Sequence, residues 1–201
     1  MIAIVDYGAG NMFSVKNALN ALQASSEVTA DSMVLEAADA IILPGVGAFP
    51  DAMRMLREKN LVDVLRQEAQ RKPFLGICLG MQLLFETGYE FQETEGLGLF
   101  AGSVRRIRSG GRKIPHMGWN ELHTVHPCRM TEGIEDGQYV YFVHSYCAET
   151  PEENIACRTD YGEPIPALVH RGTVYGAQFH PEKSGSVGLK MLKNFVRLTK
   201  L

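Results

Sequence analysis

The sequence contains no Cys-x-x-Cys pair, no His-x-x-x-His or His-Glu-x-x-His pattern and no complete Gly-x-Gly-x-x-Gly fingerprint. The first absence excludes a zinc knuckle and a thioredoxin-type redox motif, and the second leaves no paired histidines to suggest a metal. The third is a near miss. "DYGAGN" follows the first apolar run, but the place that needs a third glycine holds Phe13. "PGVG", residues 44–47, is too short for a phosphate cradle and lacks the Gly-Lys-Ser/Thr ending. No metal and no cofactor is therefore expected.

An excess of either charge is also missing. Twenty Lys and Arg stand against 23 Asp and Glu, a net charge of -3. That balance argues against a nucleic-acid partner, for which a basic stripe is expected. No apolar run approaches the length of a membrane span, so no membrane partner is expected either. Met1 leads directly into "IAIVDYG", which Asp6 interrupts before an h-region could form. Without a secretory segment, Cys78, Cys128, Cys147 and Cys157 read as reduced thiols of a cytoplasmic protein. No repeat, low-complexity tract or linker divides the 201 residues. One domain spanning 1–201, with a core that needs no disulfide, is the expectation.

What is present is an alternation. "IAIVDYG", "ADAIILPGVG" and "PFLGIC" read as buried strands stopped by glycine, proline or both. Between them Asn11 caps a helix through Gln23, with Met12, Val15, Leu19 and Leu22 on one face. "DAMRMLREKNLVDVLRQEAQRK" has helical spacing with a break near Asn60, and "GMQLLFETG" reads as the next helix. From about residue 97 the pattern turns to strands: "GSVRRIRS", "HMGWNELH", "YVYFVHSYCAE", "NIACRTDYG", "PALVHRG" and "TVYGAQFH". A last helix from about Val187 to Leu198 carries Leu189, Leu192, Phe195 and Val196 as its stripe. This order predicts an α/β fold: an open, mostly parallel central sheet with helices on both faces, plus additional antiparallel strands.

"LGICLGMQLLF" places Cys78 between two glycines, where an apolar run gives way to a helical one. The stretch fits a small core thiol and a nucleophile elbow about equally. The histidines decide between them. Among His116, His123, His126, His144, His170 and His180, only His180 ends a strand and is followed closely by a carboxylate, Glu182. Chemistry in such sheets gathers outside the carboxyl ends of the strands. A free thiol is only a few per cent ionised near pH 7, so a strand-end imidazole that takes its proton is the expected partner. The loop "PGVG" offers backbone N–H groups to a ligand, and Gly45 and Gly47 give the Gly45–Val46 peptide freedom to rotate.

"GICLGMQ" and "QFHPE" resemble the class I (triad) glutamine amidotransferases, whose fold is flavodoxin-like. "DYGAGN", "LPGVGAF", "PHMGWN", "YFVHSY" and "FHPEKSG" make the chain similar, within that family, to the glutaminase subunits of imidazole glycerol phosphate synthases. The resemblance implies that glutamine is hydrolysed to glutamate and ammonia through a thioester, with Cys78, His180 and Glu182 as the triad. It implies oxyanion donors at Leu79 and Val46, and a glutamine pocket lined by Gly47, Gln82, Glu90, Ser145 and Tyr146. It further implies a heterodimer with a (β/α)8-barrel cyclase, which takes the ammonia through a tunnel and converts PRFAR to imidazole glycerol phosphate and AICAR. Asn11, Trp119, Asn120 and Lys183 would face that partner. Two competing readings differ. The glutaminase of another synthase, such as anthranilate or carbamoyl phosphate synthase, fits "PHMGWN" and the short length poorly. A PfpI-like peptidase would carry histidine where this chain has Leu79.

Overall fold

Ile2–Val5 (β1), Ala40–Gly45 (β3) and Phe74–Cys78 (β4) are apolar without alternation because both faces are covered: every residue in them is buried. The computed structural model describes residues 1–199, so the last two positions of the expected 1–201 span lie outside the described residues. Around those strands run α1 (Met12–Ala21), β2 (Ser26–Thr29), α2 (Ser32–Ala37), α3 (Phe49–Glu58), α4 (Val62–Glu68) and the single turn α5 (Leu79–Gln82). The remainder supplies β5 (Phe85–Gly88), β6 (Thr94–Glu95), β7 (Phe100–Arg106), β8 (His116–Glu121), β9 (His123–Thr124), β10 (Tyr139–His144) and β11 (Tyr146–Glu149). It closes with β12 (Ile155–Asp160), β13 (Pro164–Arg171), β14 (Val174–Ala177) and α6 (Gly185–Leu198).

Eight strands form the main sheet in the order β2-β1-β3-β4-β14-β13-β12-β9. The strands from β2 to β14 pair in parallel, and those from β14 to β9 pair antiparallel. This is the expected mostly parallel sheet with antiparallel additions. Successive side chains of a strand point to opposite faces. Ala3 and Val5 accordingly join Leu35, Phe49, Leu56 and Leu65 from α2, α3 and α4, whereas Ile2 and Ile4 join Val15, Leu19, Leu192 and Phe195 from α1 and α6. Helices thus cover both faces. A four-stranded sheet, β11-β7-β5-β6, and a two-stranded ribbon, β10-β8, lie outside the main sheet. No helix among the described residues is long and apolar enough to cross a membrane.

Several expected boundaries shift. The helix expected over "GMQLLFETG" lasts only to Gln82, and Phe85–Gly88 is a strand. The carbonyls of Leu83 and Leu84 accept from the N–H groups of Leu97, Leu99 and Phe100, so they are not available to continue a helix. α1 stops before Gln23, whose φ of 55° is left-handed, and Asn60 at φ 56° makes the expected break between α3 and α4. "YVYFVHSYCAE" is two strands in different sheets, parted at Ser145. "HMGWNELH" is likewise divided at Leu122, its last residues joining the main sheet as β9. β14 ends at Ala177, so His180 follows the strand on a short connection instead of ending it. On α6 the buried apolar residues are Met191, Leu192 and Phe195, while Leu189 is only half-buried. β2 and α2 were not foreseen; "SEVT" is too polar to read as a strand until β1 pairs with it.

Candidate active site

Cys78 is the last residue of β4 and the residue before α5, at φ 54° and ψ -111°. A non-glycine residue in that region is strained, and the strain aims its side chain out of the sheet. The two flanking glycines permit the turn. A β-carbon on Gly76 would stand 2.5 Å from the carbonyl oxygen of Gly80, and one on Gly80 would stand 1.8 Å from that of Leu43. Gly45 pairs with Cys78 across the parallel ladder and is constrained in the same way. A β-carbon there would meet the Gly80 nitrogen at 2.6 Å and the Tyr7 hydroxyl at 2.8 Å. Its need for glycine is therefore close approach. Only Gly47, at φ 97° with open space around it, has the positive φ expected of both.

His180 and Glu182 are brought to the same corner by the connection after β14. The N–H of His180 donates to Tyr141 O at 2.9 Å, and the Ser184 hydroxyl donates to His180 O at 2.6 Å while accepting from Tyr141 N–H at 3.0 Å. The Ser184 clamp carries no signal in the sequence. The imidazole Nδ1 donates to Glu182 Oε1 at 2.8 Å, with both side chains 3% exposed or less. Glu182 Oε2 is buried without a hydrogen-bond partner, so no other donor shares that carboxylate's charge. His180 Nε2 is buried and also has no partner; it is the free end of a ring oriented from the other side. Burial alone would lower the His180 pKa. The nearby Cys78 sulfur and the Glu182 carboxylate override it and raise the ring to about 9. A thiol with such an oriented imidazole beside it can act as a nucleophile once the ring takes its proton.

A cavity of about 330 Å³ opens over Cys78 and His180. Val46, Gly47, Leu79, Gln82, Glu90, Ser145 and Tyr146 all line it. The structure thus gathers the expected oxyanion and glutamine-pocket residues around Cys78 and His180, with Glu182 behind the imidazole on its Nδ1 side. Pro115, Val143 and His144 line it too, and the sequence did not single them out for it. Glu90 accepts from the Phe49 N–H at 2.8 Å, capping α3 across the chain where Ala48 supplies no side-chain cap. Burial raises its carboxyl pKa, against that hydrogen bond, and Asp51 adds to the rise. Among the described residues, no group of three His, Cys, Asp or Glu side chains is placed to hold a metal ion.

Residues 3–198 match the family model described as Glutamine amidotransferase class-I. The chain belongs to that family. The amidotransferase is 53% identical over 196 residues to the imidazole glycerol phosphate synthase subunit HisH of Bacillus anthracis (strain A0248), covering 97% of this chain and 93% of that protein. The HisH subunit of Bacillus thuringiensis (strain Al Hakam) matches to the same extent. Among solved structures, a glutamine amidotransferase aligns over 100% of both chains at TM-score 0.78 and 22% identity. PurLQS from Thermotoga maritima aligns over 98% of this chain and 97% of its own at TM-score 0.75 and 23% identity. At such identities the two structures speak for the fold.

In this amidotransferase several expected residues turn inward. Gln82 is buried and donates both amide hydrogens within the chain, to Tyr146 O and to Gln178 Oε1, each at 3.0 Å. The side chain of Asn120 is also fully engaged. It donates to Asp160 O at 2.9 Å, pairs with His116 Nε2 at 3.2 Å and accepts from the Glu121 N–H at 2.9 Å. Asn11 caps α1 through the Ser14 N–H, and it shares a narrow crevice with Gly45, Val46, His180 and Glu182. Trp119 is 55% exposed, edge-on to Tyr141 at 6.0 Å, and Lys183 is exposed beside the triad.

Proposed function

We infer that this chain is the glutaminase subunit of an imidazole glycerol phosphate synthase and supplies ammonia for histidine biosynthesis. The observation that carries this reading is the 53% identity to the Bacillus subunits, which runs over 97% of the chain. The Cys78 thiolate attacks the side-chain amide carbon of L-glutamine, and the backbone N–H groups of Leu79 and Val46 stabilise the oxyanion. His180, carrying the thiol proton, gives it to the departing nitrogen; ammonia leaves and a thioester to Cys78 remains. Water, deprotonated by His180, then attacks the thioester, releasing glutamate and restoring the thiol. Glu182 orients the imidazole and balances its charge. Gly47, Gln82, Ser145 and Tyr146 shape the glutamine site, and the second carboxylate oxygen of Glu90 meets the substrate ammonium.

The partner is a (β/α)8-barrel cyclase, joined as a heterodimer in the cytoplasm and fed with ammonia through its tunnel. Trp119 and Lys183 meet it, and pressure on Asn11 reaches the Gly45–Val46 peptide through the crevice they share. Docking favours the orientation that points the Val46 N–H at the oxyanion, by differential binding. Losing one such donor costs about 10²–10³ in kcat, so the isolated subunit is slow by that factor. Glutamine hydrolysis measured with and without the barrel cyclase and its substrate tests this. No hydrolysis in the complex would sink the function. Equal rates in both would sink the gate and leave the triad standing.

A further inference from the structure

Two histidines of the amidotransferase take no part in that chemistry, yet they are buried and hydrogen-bonded at both ring nitrogens. His116 on β8 and His144 at the end of β10 face each other in the antiparallel ribbon, at 3% and 5% exposure. Their rings meet through His116 Nδ1 and His144 Nε2 at 3.0 Å, and His144 Nδ1 lies 2.8 Å from Tyr146 O. A carbonyl oxygen can only accept, so His144 Nδ1 carries the hydrogen and, in the neutral ring, its Nε2 accepts. His116 Nδ1 therefore donates, and its Nε2 accepts from Asn120. Burial keeps both rings neutral, lowering His116 to about 4 and His144 to about 3. His116 is also stacked between Tyr161 at 4.0 Å and Phe142 at 4.7 Å.

The direction of every bond is thereby set. Asn120 donates to His116, His116 to His144, and His144 to the Tyr146 carbonyl, which also receives Gln82. The chain begins one residue from exposed Trp119 and ends at a wall of the cavity over Cys78. It crosses Ser145, where the strand leaves one sheet for another and where the Ser145 carbonyl accepts from the Ile107 N–H at 3.0 Å.

We propose that His116 and His144 are positioning residues of the glutaminase, whose directed hydrogen-bond chain holds the Ser145–Tyr146 wall of the glutamine pocket in register with strand β8. The inference rests on the glutaminase reading above and adds two residues to it. His116→Phe keeps the stack on Tyr161 and Phe142 but removes both the donor and the acceptor, whereas His116→Gln keeps one of each.

The test is steady-state glutaminase kinetics of the complex with the barrel cyclase, together with cyclase affinity and the ammonia-dependent synthase rate. For His116→Phe the expected result is a glutamine KM raised about tenfold, kcat within about threefold of the parent, and the other two readouts unchanged. His116→Gln should recover most of the KM. An unchanged KM overturns the proposal, and so does a loss shared equally by all three readouts, which marks general unfolding. ¹⁵N spectra of the histidine rings provide a readout independent of turnover. Both rings should be neutral with the hydrogen on Nδ1, and hydrogen on Nε2 of either ring overturns the chain. Failure of the parent complex to hydrolyse glutamine would instead sink the functional reading itself.

Discussion

A β-carbon on Gly80 would stand 1.8 Å from the carbonyl oxygen of Leu43, so strand β3 and the first turn of α5 touch backbone to backbone. The contact brings the loop that carries Val46 against the elbow that carries Cys78. Gly80→Ala must push the two apart, and no rotamer can relieve a clash with main chain. It is expected to abolish turnover and to cost stability on the scale of an overpacked core, about 1–3 kcal/mol or more. A Gly47→Ala control meets no atom within 4 Å and pays only for its positive φ, roughly 1 kcal/mol. Denaturant midpoints of both variants check the ordering; equal costs would refute it.

The thiols should separate cleanly by reactivity. Burial raises Cys128 and pushes both Cys147 and Cys157 up to about 12, so none of the three is ionised at neutral pH. A glutamine-mimicking electrophile is expected to label Cys78 alone, as read by peptide mass mapping. Cys78→Ser should lose glutamine-dependent synthesis while ammonia still supports the cyclase. Glutaminase activity retained in that variant would end the triad assignment.

The Glu182 carboxylate is one of the two groups that raise His180. In Glu182→Gln the imidazole pKa should fall from about 9 toward the ordinary value of 6.5, followed by histidine NMR. A folded-state pKa above the unfolded one means the fold binds the extra proton. The parent's stabilisation from this pair is thus complete below pH ~6.5 and disappears as pH rises through about 9. The variant should show a flatter stability curve across that window and a kcat lower by about 10²–10⁴. A pKa that does not move would show that the carboxylate is not what charges the ring.

His116 and His144 shift the other way. Their folded pKa values lie below the unfolded one, so the unfolded chain binds more protons as pH falls from ~6.5 toward about 4. Their contribution is complete above pH ~6.5 and lost below it, at a slope of up to ~2.7 kcal/mol per pH unit for two protons. Urea melts at pH 7, 6 and 5 measure it in a range that most carboxylates do not reach. In His116→Phe the slope should fall by about half.

Lys183 is exposed one residue beyond Glu182. Lys183→Glu is expected to alter the isolated fold by within about 0.5 kcal/mol while weakening cyclase binding severalfold at low salt. Calorimetric titration of the two subunits decides it, and an unchanged affinity would leave Lys183 a solvated side chain.

The strands that touch the site were the easiest to read. Runs such as "AIILPG" and "FLGIC" are buried on both faces, and their glycines stand where backbones meet. Cys78 and His180 could be paired because each follows an apolar run of the sequence, although His180 lies on the connection after β14. What escaped was everything decided by distant backbone. Nothing in "LLFETG" tells that Leu83 and Leu84 will surrender their carbonyls to residues 97–100. Nor does "VHSY" show that Ser145 sits between two sheets. Asn120 illustrates the same limit at the level of a side chain. Its motif suggested an outward role, and only the fold reveals that His116, Asp160 and Glu121 occupy its amide.

The sole tryptophan of the chain is Trp119, half-exposed between Tyr141 and Gly185. Light absorbed at the red edge of the protein spectrum therefore reports on one small patch and on nothing in the core. Unfolding moves this indole from partial to full hydration, which gives a modest emission change. Covering the patch with another protein surface dries it, which shifts the emission to the blue. The chain thus carries its own optical probe of docking, with no label to attach and no second indole to subtract.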